Sequence, residues 1–338
     1  MTTVSIAMAT YNGARYITEQ LESFTRQTAL PSELVITDDG STDDTLAIID
    51  AFAVRARFPV RVERNAKRLG HRANFMKAAG LCKSELIAFS DQDDVWLPEK
   101  LETCLAAFTD HDTLLAYHNL SFVSGELKEL GTFDRLAAPR AINPANSIEP
   151  CGYSAGMTLV IRSQLLKFSD YWPETSDMFN ANEREAHDQW FFFLASCMGS
   201  IAYIAKPMVL YRQHGRNTAV WVFPTILDNL KSTDLSSFRS REISAGKRAL
   251  ILEQLQTKVD EPARSRIKIA ANGYRKFERS YRLRQKTYLS QNIFSRLRQL
   301  IASLRAGVYL PRTRWGSGRK AFVRDIVHAV IFPVQGCQ

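Results

Sequence analysis

LIAFSDQDDVW, residues 86–96, is an apolar run followed at once by a cluster of carboxylates. The run is typical of a buried strand, and Asp91, Asp93 and Asp94 stand at its end. Carboxylates this close together repel one another unless a cation lies among them. Mg²⁺ or Mn²⁺ suits that role because these ions combine one or two carboxylates with phosphate oxygens. An acidic turn that caps the next helix is the alternative interpretation of this stretch taken alone.

Strand-like and helix-like segments alternate on both sides of this stretch. Apolar spacing predicts strands at residues 4–9, 34–36, 60–62 and 86–89, and helices at 15–27, 41–52 and 72–81. This alternation predicts an α/β fold with a mostly parallel, Rossmann-like sheet and helices on both faces. In such sheets ligands bind at the carboxyl ends of the strands. The polar residues Thr10 to Gly13, Asp38 with Asp39, and Asp91 to Asp94 each follow a strand, so we expect them to line one cleft.

The second half of the chain is less regular. The pattern predicts strands at residues 114–118, 158–161, 201–205 and 208–211, a long loop at 132–150 and a helix at 185–197. Beyond residue 230 almost the whole chain has helical spacing. We therefore place the main boundary near residues 218–235, with a catalytic domain at 1–220 and a helical region at 221–338.

The net charge of +9 is divided unevenly between these parts. Residues 231–338 hold 23 Lys and Arg against 7 Asp and Glu, whereas the first 230 residues carry a net charge of −7. Apolar residues at helical spacing between 293 and 304, flanked by arginines, can lie on an anionic membrane surface. Packing of this helix on the catalytic domain is the alternative. Nucleic-acid binding lacks a recognised motif, so we expect no nucleic-acid partner.

The five cysteines show no zinc-ligand spacing, and the start of the chain lacks the features of a signal peptide. No stretch reaches the roughly 20 apolar residues that span a bilayer. These observations predict a cytoplasmic protein with reduced thiols. Peripheral association with the inner face of the membrane stays open as an alternative.

Three strand-end segments together resemble the N-terminal signatures of the inverting family 2 glycosyltransferases, which have the GT-A fold. The segments are AMATYNGARYI (7–17), VITDDGSTDDT (35–45) and IAFSDQDDVW (87–96). The wording SDQDDVW is similar to the rhamnosyltransferase-like subgroup, and the resemblance covers residues 4 to about 216. It implies a nucleotide-sugar half at about 1–110 and an acceptor half at about 111–220.

The resemblance assigns roles to residues of the first half, and for the three strand-end clusters a plain turn is the alternative. It implies that Thr10, Tyr11 and Asn12 line the nucleotide pocket, that Asp39 with Asp38 binds a pyrimidine base, and that Arg68 and Asn74 lie on a donor-side loop. It also implies that Asp91 lies near the ribose, with Asp93 on a Mn²⁺ or Mg²⁺ ion and Asp94 assisting nearby. The donor is then a nucleoside diphosphate sugar, either dTDP-rhamnose or a UDP-sugar.

Further roles fall on the second half. EAHDQW, residues 185–190, resembles the family segment that contains the general base, which implies Asp188 as the base that accepts the acceptor proton. His187 is either a proton partner of Asp188 or a surface histidine, and core packing is the favoured interpretation of Trp190. Gly152, Tyr153 and Ser154 resemble the loop that borders donor sugar and acceptor. In YRQH, residues 211–214, the resemblance implies His214 as a metal ligand and Arg212 as a diphosphate contact.

The function implied is inverting sugar transfer to a hydroxyl of a glycan or lipid-linked acceptor in cell-surface polysaccharide synthesis. A nucleotidyltransferase is one alternative, but it would normally have a glycine-rich, basic first loop, and residues 10–13 read TYNG. A non-catalytic protein that binds membrane surfaces or nucleic acid through its basic C-terminal segment is the other.

Overall fold

The structure is a computed structural model that describes residues 2–132, 140–150, 152, 154–215, 235–311, 315 and 317–330. The described residues belong to two compact units, and each is considered by itself. The first comprises residues 1–145, 153–170 and 186–220, and the second comprises 146–152, 171–185 and 221–338. The boundary expected near residues 218–235 lies largely outside the described residues and stays a prediction.

The first unit is built on one mixed sheet. Its strands among the described residues are β1 (Val4–Thr10), β2 (Glu33–Asp38), β3 (Val60–Arg64), β4 (Leu86–Ser90), β5 (Val95–Trp96), β6 (Thr113–Val123), β7 (Glu129–Thr132), β8 (Ile142–Asn143), β9 (Leu159–Arg162) and β10 (Ser200–Arg212). The main order across the sheet is β3-β2-β1-β4-β9-β6-β10-β5. The pairs β3-β2, β2-β1, β1-β4 and β6-β10 are parallel, whereas β9 runs antiparallel to both β4 and β6.

The strand register explains why the polar segments meet. Thr10 pairs with Asp38 across β1 and β2, and Met8 pairs with Ser90 across β1 and β4. The carboxyl ends of these three parallel strands are therefore level at one edge of the sheet. Each strand is buried on both sides, as expected for the centre of a parallel sheet covered by helices.

Five helices belong to this unit in the part of the chain that the structure describes. They are α1 (Ile17–Thr25), α2 (Thr45–Arg55), α3 (His71–Leu81), α4 (Lys100–Ala106) and α5 (His187–Met198). In α1, Ile17, Leu21 and Phe24 are buried at the i, i+4, i+7 spacing of an amphipathic helix. In α5 nearly every residue is buried, so this helix lies in the core and carries Asp188 in its first turn.

Two details differ from the sequence prediction. The strands expected at 201–205 and 208–211 are one strand, β10, which continues through register shifts around Pro207. Proline has no N–H for the ladder, and a bulge lets the strand pass it. The loop expected at 132–150 contains the short strand β8, and residues 133–139 lie outside the described residues.

The second unit is helical, as predicted. Its helices among the described residues are α6 (Leu235–Leu255), α7 (Ala263–Leu289), α8 (Ile293–Arg305) and α9 (Arg319–Val330). Arg284 of α7 and Asp325 of α9 form a buried two-point ion pair, with Nε–Oδ2 and Nη2–Oδ1 distances of 2.7 and 2.8 Å. Tyr288 and Tyr309 donate hydrogen bonds to the same carboxylate. These contacts satisfy the buried charges of both side chains, so removal of either partner would leave an unpaired buried charge.

No helix within the described part of the chain combines the length and the apolar character needed to cross a bilayer.

Candidate active site

A cleft of 1210 Å³ opens at the carboxyl ends of β1, β2 and β4. The described residues that line it are Ala9, Thr10, Tyr11, Asn12, Gly13, Arg15, Tyr16, Asp39, Arg68, Leu69, Gly70, His71, Asn74, Phe75, Asp91, Gln92, Asp93, His214 and Gly215. The fold therefore brings together the strand-end segments that the sequence analysis singled out. Its volume accommodates a ligand larger than a typical drug-sized molecule.

The turn after β2 places two neighbouring aspartates in different environments. Asp38 is fully buried and accepts hydrogen bonds from Thr10 Oγ1 (2.9 Å) and from the N–H and hydroxyl of Ser41. These bonds are typical of an aspartate that stabilises its own turn. Asp38 is not among the described residues that line the cleft, so its predicted role in base binding stays a prediction without geometric support.

Asp39 lines the cleft and organises the loop that precedes α3. Its Oδ1 accepts the N–H of Leu69 at 2.6 Å and the amide of Asn65 at 3.1 Å, and its Oδ2 accepts the N–H of Gly70 at 2.8 Å. Asn74, expected on a donor-side loop, is buried and bonds to the Asn65 amide and to the Thr37 carbonyl. It lines the cleft mainly as a support for this loop.

Tyr11 is the exposed aromatic of the cleft. The guanidinium of Arg68 lies 4.1 Å from the centroid of its ring, and the side-chain amide of Gln92 bonds to both its N–H and its carbonyl. Asn12 takes a left-handed φ of 48°, which asparagine tolerates, and accepts the N–H of Thr42 at 2.8 Å. A Cβ on Gly13 would lie 2.4 Å from Gln92 Oε1, so a larger residue there would displace the Gln92 side chain from its bonds to Tyr11.

The acidic loop after β4 concentrates negative charge at the base of the cleft. Burial, together with the charges of Asp93 and Asp188, raises the pKa of Asp91 above its usual range. Burial and the charges of Asp93 and Asp91 likewise raise the pKa of Asp94, which accepts the N–H of Arg212 at 3.1 Å but does not line the cleft. Asp188, which contributes to the raised pKa of Asp91, is not among the described residues that line the cleft.

His214 meets Asp93 at the edge of the cleft. Its Nε2 lies 2.9 Å from Asp93 Oδ2, and its ring stacks on Tyr16 with the centroids 4.9 Å apart. The two residues predicted as metal ligands are thus adjacent, although 121 residues separate them in sequence.

Arg212 is buried beside this pair and points away from the open cleft. Its guanidinium donates to the Asp93 carbonyl at 2.8 Å, to the Gly125 carbonyl and to the Glu19 carboxylate. It also lies 4.5 Å from the centroid of the Tyr16 ring. Arg212 is 1% exposed and is not among the described residues that line the cleft, so these contacts favour a role in holding the acidic loop over a diphosphate contact.

His187 and Asp188 are the first two residues of α5, and they differ in burial. Burial, reinforced by the charges of His71 and Arg72, lowers the pKa of His187 to about 3, so its ring is neutral at neutral pH. The ring stacks on Phe75 at 4.0 Å, and a Cβ on Gly156 would lie 2.4 Å from its Nε2. Asp188 is half-buried, and its Oδ1 accepts the N–H of Gln189 at 2.7 Å.

The remaining predicted residues are not assembled in the cleft by the described structure. Ser154 is buried and bonds to Thr158 Oγ1 at 2.8 Å, and Trp190 is a fully buried core residue. Gly152 belongs to the second unit, where its N–H donates to the Glu149 carbonyl. Tyr153 lies outside the described residues.

A divalent cation fits this donor set only with help from a ligand. Among the described residues, no group of three or more His, Cys, Asp or Glu side chains is arranged to hold a metal ion. Catalytic Mg²⁺ and Mn²⁺ take one or two protein carboxylates and complete their shell with phosphate oxygens and water. Asp93 with His214 at the cleft edge suits a site of this kind.

Two residues that the sequence did not point to are Tyr16, which lines the cleft, and Lys100, which is buried near the acidic loop. Apolar spacing places Tyr16 in the helix predicted at 15–27. Its ring stacks on His214, and its position just after the first strand end could have indicated a place in the cleft. Lys100 is fully buried, donates to the Met157 carbonyl at 2.6 Å and lies 3.5 Å from the centroid of the Trp96 ring. Burial lowers its pKa to about 7. The sequence feature that could have indicated this burial is a lysine on the apolar face of a short helix, near the acidic loop.

Arg212→Lys tests the buried contacts. Lysine keeps the charge but cannot reach the three acceptors in their fixed directions, so at least one buried carbonyl loses its partner. We expect the free energy of unfolding to fall by about 2–4 kcal/mol, measured by chemical denaturation.

Arg15→Lys is the matched control, because Arg15 lies 5.0 Å from the same Tyr16 ring but is exposed. It should change stability by less than about 0.5 kcal/mol. Equal effects of the two substitutions would contradict the structural role of Arg212.

Comparison with known proteins supplies the family. The model of Glycosyl transferase family 2 matches residues 5–163. An uncharacterised glycosyltransferase of Nostoc is 26% identical over 231 residues, which are 63% of this chain and 66% of that protein. The dTDP-rhamnosyl transferase RfbG of Shigella flexneri is 28% identical over 221 residues, 62% of this chain and 72% of that protein. The chain thus spans about two thirds of these relatives' lengths.

The fold has solved counterparts. The crystal structure of Staphylococcus aureus TarS 1–349 in complex with UDP superposes with a TM-score of 0.53 at 17% identity, covering 92% of this chain and 93% of that one. At this identity the likeness concerns the fold alone, and it confirms the predicted GT-A class. The family match, the two relatives and this shared fold agree with the three strand-end signatures, and residues 5–163 of the chain match glycosyltransferase family 2.

Proposed function

We propose that the chain transfers a sugar from a nucleoside diphosphate donor to a hydroxyl of a glycan or lipid-linked acceptor, with inversion at the anomeric carbon. The observation that carries the proposal is the single cleft in which Asp39, Asp93 and His214 meet at the strand ends. A nucleotide needs a base pocket and a diphosphate pocket within reach of each other. The register of β1, β2 and β4, which brings the strand ends before Asp39 and Asp93 to one edge, supports this arrangement.

The nucleotide base is proposed to bind between Tyr11 and Asp39. Tyr11 offers a ring face, and Arg68 already stacks on that ring, so a base either displaces the guanidinium or stacks beside it. The Asp39 carboxylate accepts three hydrogen bonds in the structure and has capacity for about four. A ring N–H of a pyrimidine is a suitable fourth donor. The loop of Leu69 and Gly70 would then be fixed by the same carboxylate that reads the base.

The diphosphate is proposed to bind above Asp93 and His214, with Asp91 toward the ribose. A Mn²⁺ or Mg²⁺ ion held by Asp93 and His214 would supply positive charge against the leaving diphosphate. The protein's own contribution is to keep Asp93 in place, through its contact with His214 and the bond from Arg212 to its carbonyl.

Asp188 is proposed as the general base. Its carboxylate accepts the proton of the acceptor hydroxyl while that oxygen forms a bond to the anomeric carbon. The bond from this carbon to the diphosphate breaks, and its electron pair leaves with the nucleotide. The charge of Asp188 contributes to the raised pKa of Asp91, which supports a place for Asp188 beside the acidic loop. His187 is neutral and packed between aromatic rings, so its proposed role is to orient the start of α5.

The donor is proposed to be dTDP-rhamnose or a UDP-sugar. One relative is named a dTDP-rhamnosyl transferase, and TarS, a poly(ribitol-phosphate) beta-N-acetylglucosaminyltransferase, has been crystallised with UDP and with UDP-GlcNAc. Both bases are pyrimidines. A cytoplasmic location and a role in cell-surface polysaccharide synthesis belong to the same proposal.

Asp188→Asn tests the base. Asparagine keeps the shape and cannot accept the proton, so transfer should fall about a hundredfold or more, while stabilisation by UDP with Mn²⁺ is retained. Sugar transfer is measured by nucleotide release, and binding by thermal shift. Asp170→Asn, which alters an exposed aspartate of the same unit, is the control and should leave both unchanged. Turnover by Asp188→Asn equal to that of the wild type would remove Asp188 from the mechanism.

A thermal-shift screen tests the donor. At a fixed concentration, a ligand that binds only the folded state raises the melting temperature more the more tightly it binds. With Mn²⁺ present, UDP and dTDP should raise it more than ADP and GDP, and the true donor sugar nucleotide should raise it most. Equal shifts for purine and pyrimidine diphosphates would contradict the proposed base pocket.

A further inference from the structure

Helix α8 of the second unit exposes a continuous apolar face. Five large apolar side chains are at least one third exposed, and Phe294 is 81% exposed. They are Ile293, Phe294, Leu297, Ile301 and Leu304. With 3.6 residues per turn, these positions fall within an arc of about 100° around the helix axis. We call this arc the α8 apolar face.

The side of α8 that borders this arc at Ile293 attaches the helix to its unit. Leu300 and Ser303 are buried, and α8 packs against α7 and α9. The Asn292 side chain caps the helix by accepting the N–H of Ser295 at 2.8 Å. The helix is therefore held in place through one side, and its apolar face is directed outward as a formed surface.

The surroundings of the α8 apolar face are basic. Arg298 and Arg305 are exposed and follow the arc directly on one side, and residues 293–305 contain no Asp or Glu. Arg319 and Lys320, at the start of α9, are also exposed. Asp325 is the one acidic residue of the sequence between 290 and 330, and it is buried against Arg284.

We propose that the α8 apolar face lies on an anionic lipid surface. Its apolar side chains would enter the boundary between headgroups and acyl chains, and Arg298 and Arg305 would bind lipid phosphates. The helix has 13 residues and an arginine on several turns, so it suits an orientation in the plane of the interface. The inference does not depend on the proposed glycosyl transfer.

The charge pattern favours lipid over other occupants. A second copy of the chain would use the same face on both partners, which would bring arginines against arginines. Nucleic acid would engage the arginines but would leave Phe294 and Ile301 without an apolar partner. An anionic membrane satisfies the apolar arc and the flanking positive charge together.

Vesicle flotation of the full chain tests the proposal. The wild type should float with vesicles of phosphatidylcholine mixed with phosphatidylglycerol, and not with phosphatidylcholine alone. Phe294→Ser with Ile301→Ser should lower the bound fraction about tenfold. Arg298→Gln should lower it about fivefold and reduce its dependence on salt.

The control substitutes apolar residues of the same unit elsewhere. Leu250→Ser with Ile269→Ser replaces side chains that are 48% and 57% exposed on α6 and α7, and flotation should be unchanged. Thermal unfolding confirms that all variants are folded. The proposal is overturned if the wild type does not float with anionic vesicles, or if Phe294→Ser with Ile301→Ser floats as the wild type does. A dimer in light scattering that this variant dissociates, with flotation unaffected, would assign the face to self-association instead.

Discussion

The buried guanidinium of Arg212 is the contact on which the rest of the site depends. It joins the end of the last strand, β10, to the acidic loop after β4 and to Glu19 of α1. A buried arginine is tolerated only when its donors are satisfied, and here carbonyl and carboxylate oxygens meet them. The same strand end carries His214, two residues further on, to Asp93. One ion-paired side chain therefore sets the distance between the two predicted metal ligands.

Around this contact the site holds several carboxylates close together, with more negative than positive charge. Asp91 and Asp94 have raised pKa values because they are buried near other carboxylates, while Asp93 and His214 face the cleft. Such crowding is unfavourable unless a cation and its phosphates complete the site. Asp188, in the first turn of the core helix α5, is the proposed general base and comes from the second half of the first unit.

Local patterns predicted the parts of the fold that local forces determine. The apolar runs gave β1, β2 and β4, and because parallel strands end together, the polar residues after them could be grouped in advance. Contacts between distant segments could not be predicted: 193 residues separate Arg212 from Glu19, and the resemblance implied a diphosphate contact for Arg212. Spacing likewise indicated the amphipathic character of α8, but only the structure shows that its apolar face is outward while Leu300 is buried.

The central claim is that Asp93 and His214 together hold a divalent ion against a nucleoside diphosphate. Anomalous diffraction at the manganese edge, from a crystal grown with UDP and Mn²⁺, tests it most directly. The account predicts one strong peak within coordination distance of Asp93, His214 and the diphosphate oxygens. A peak elsewhere, or bound UDP with no manganese between it and Asp93, would contradict it.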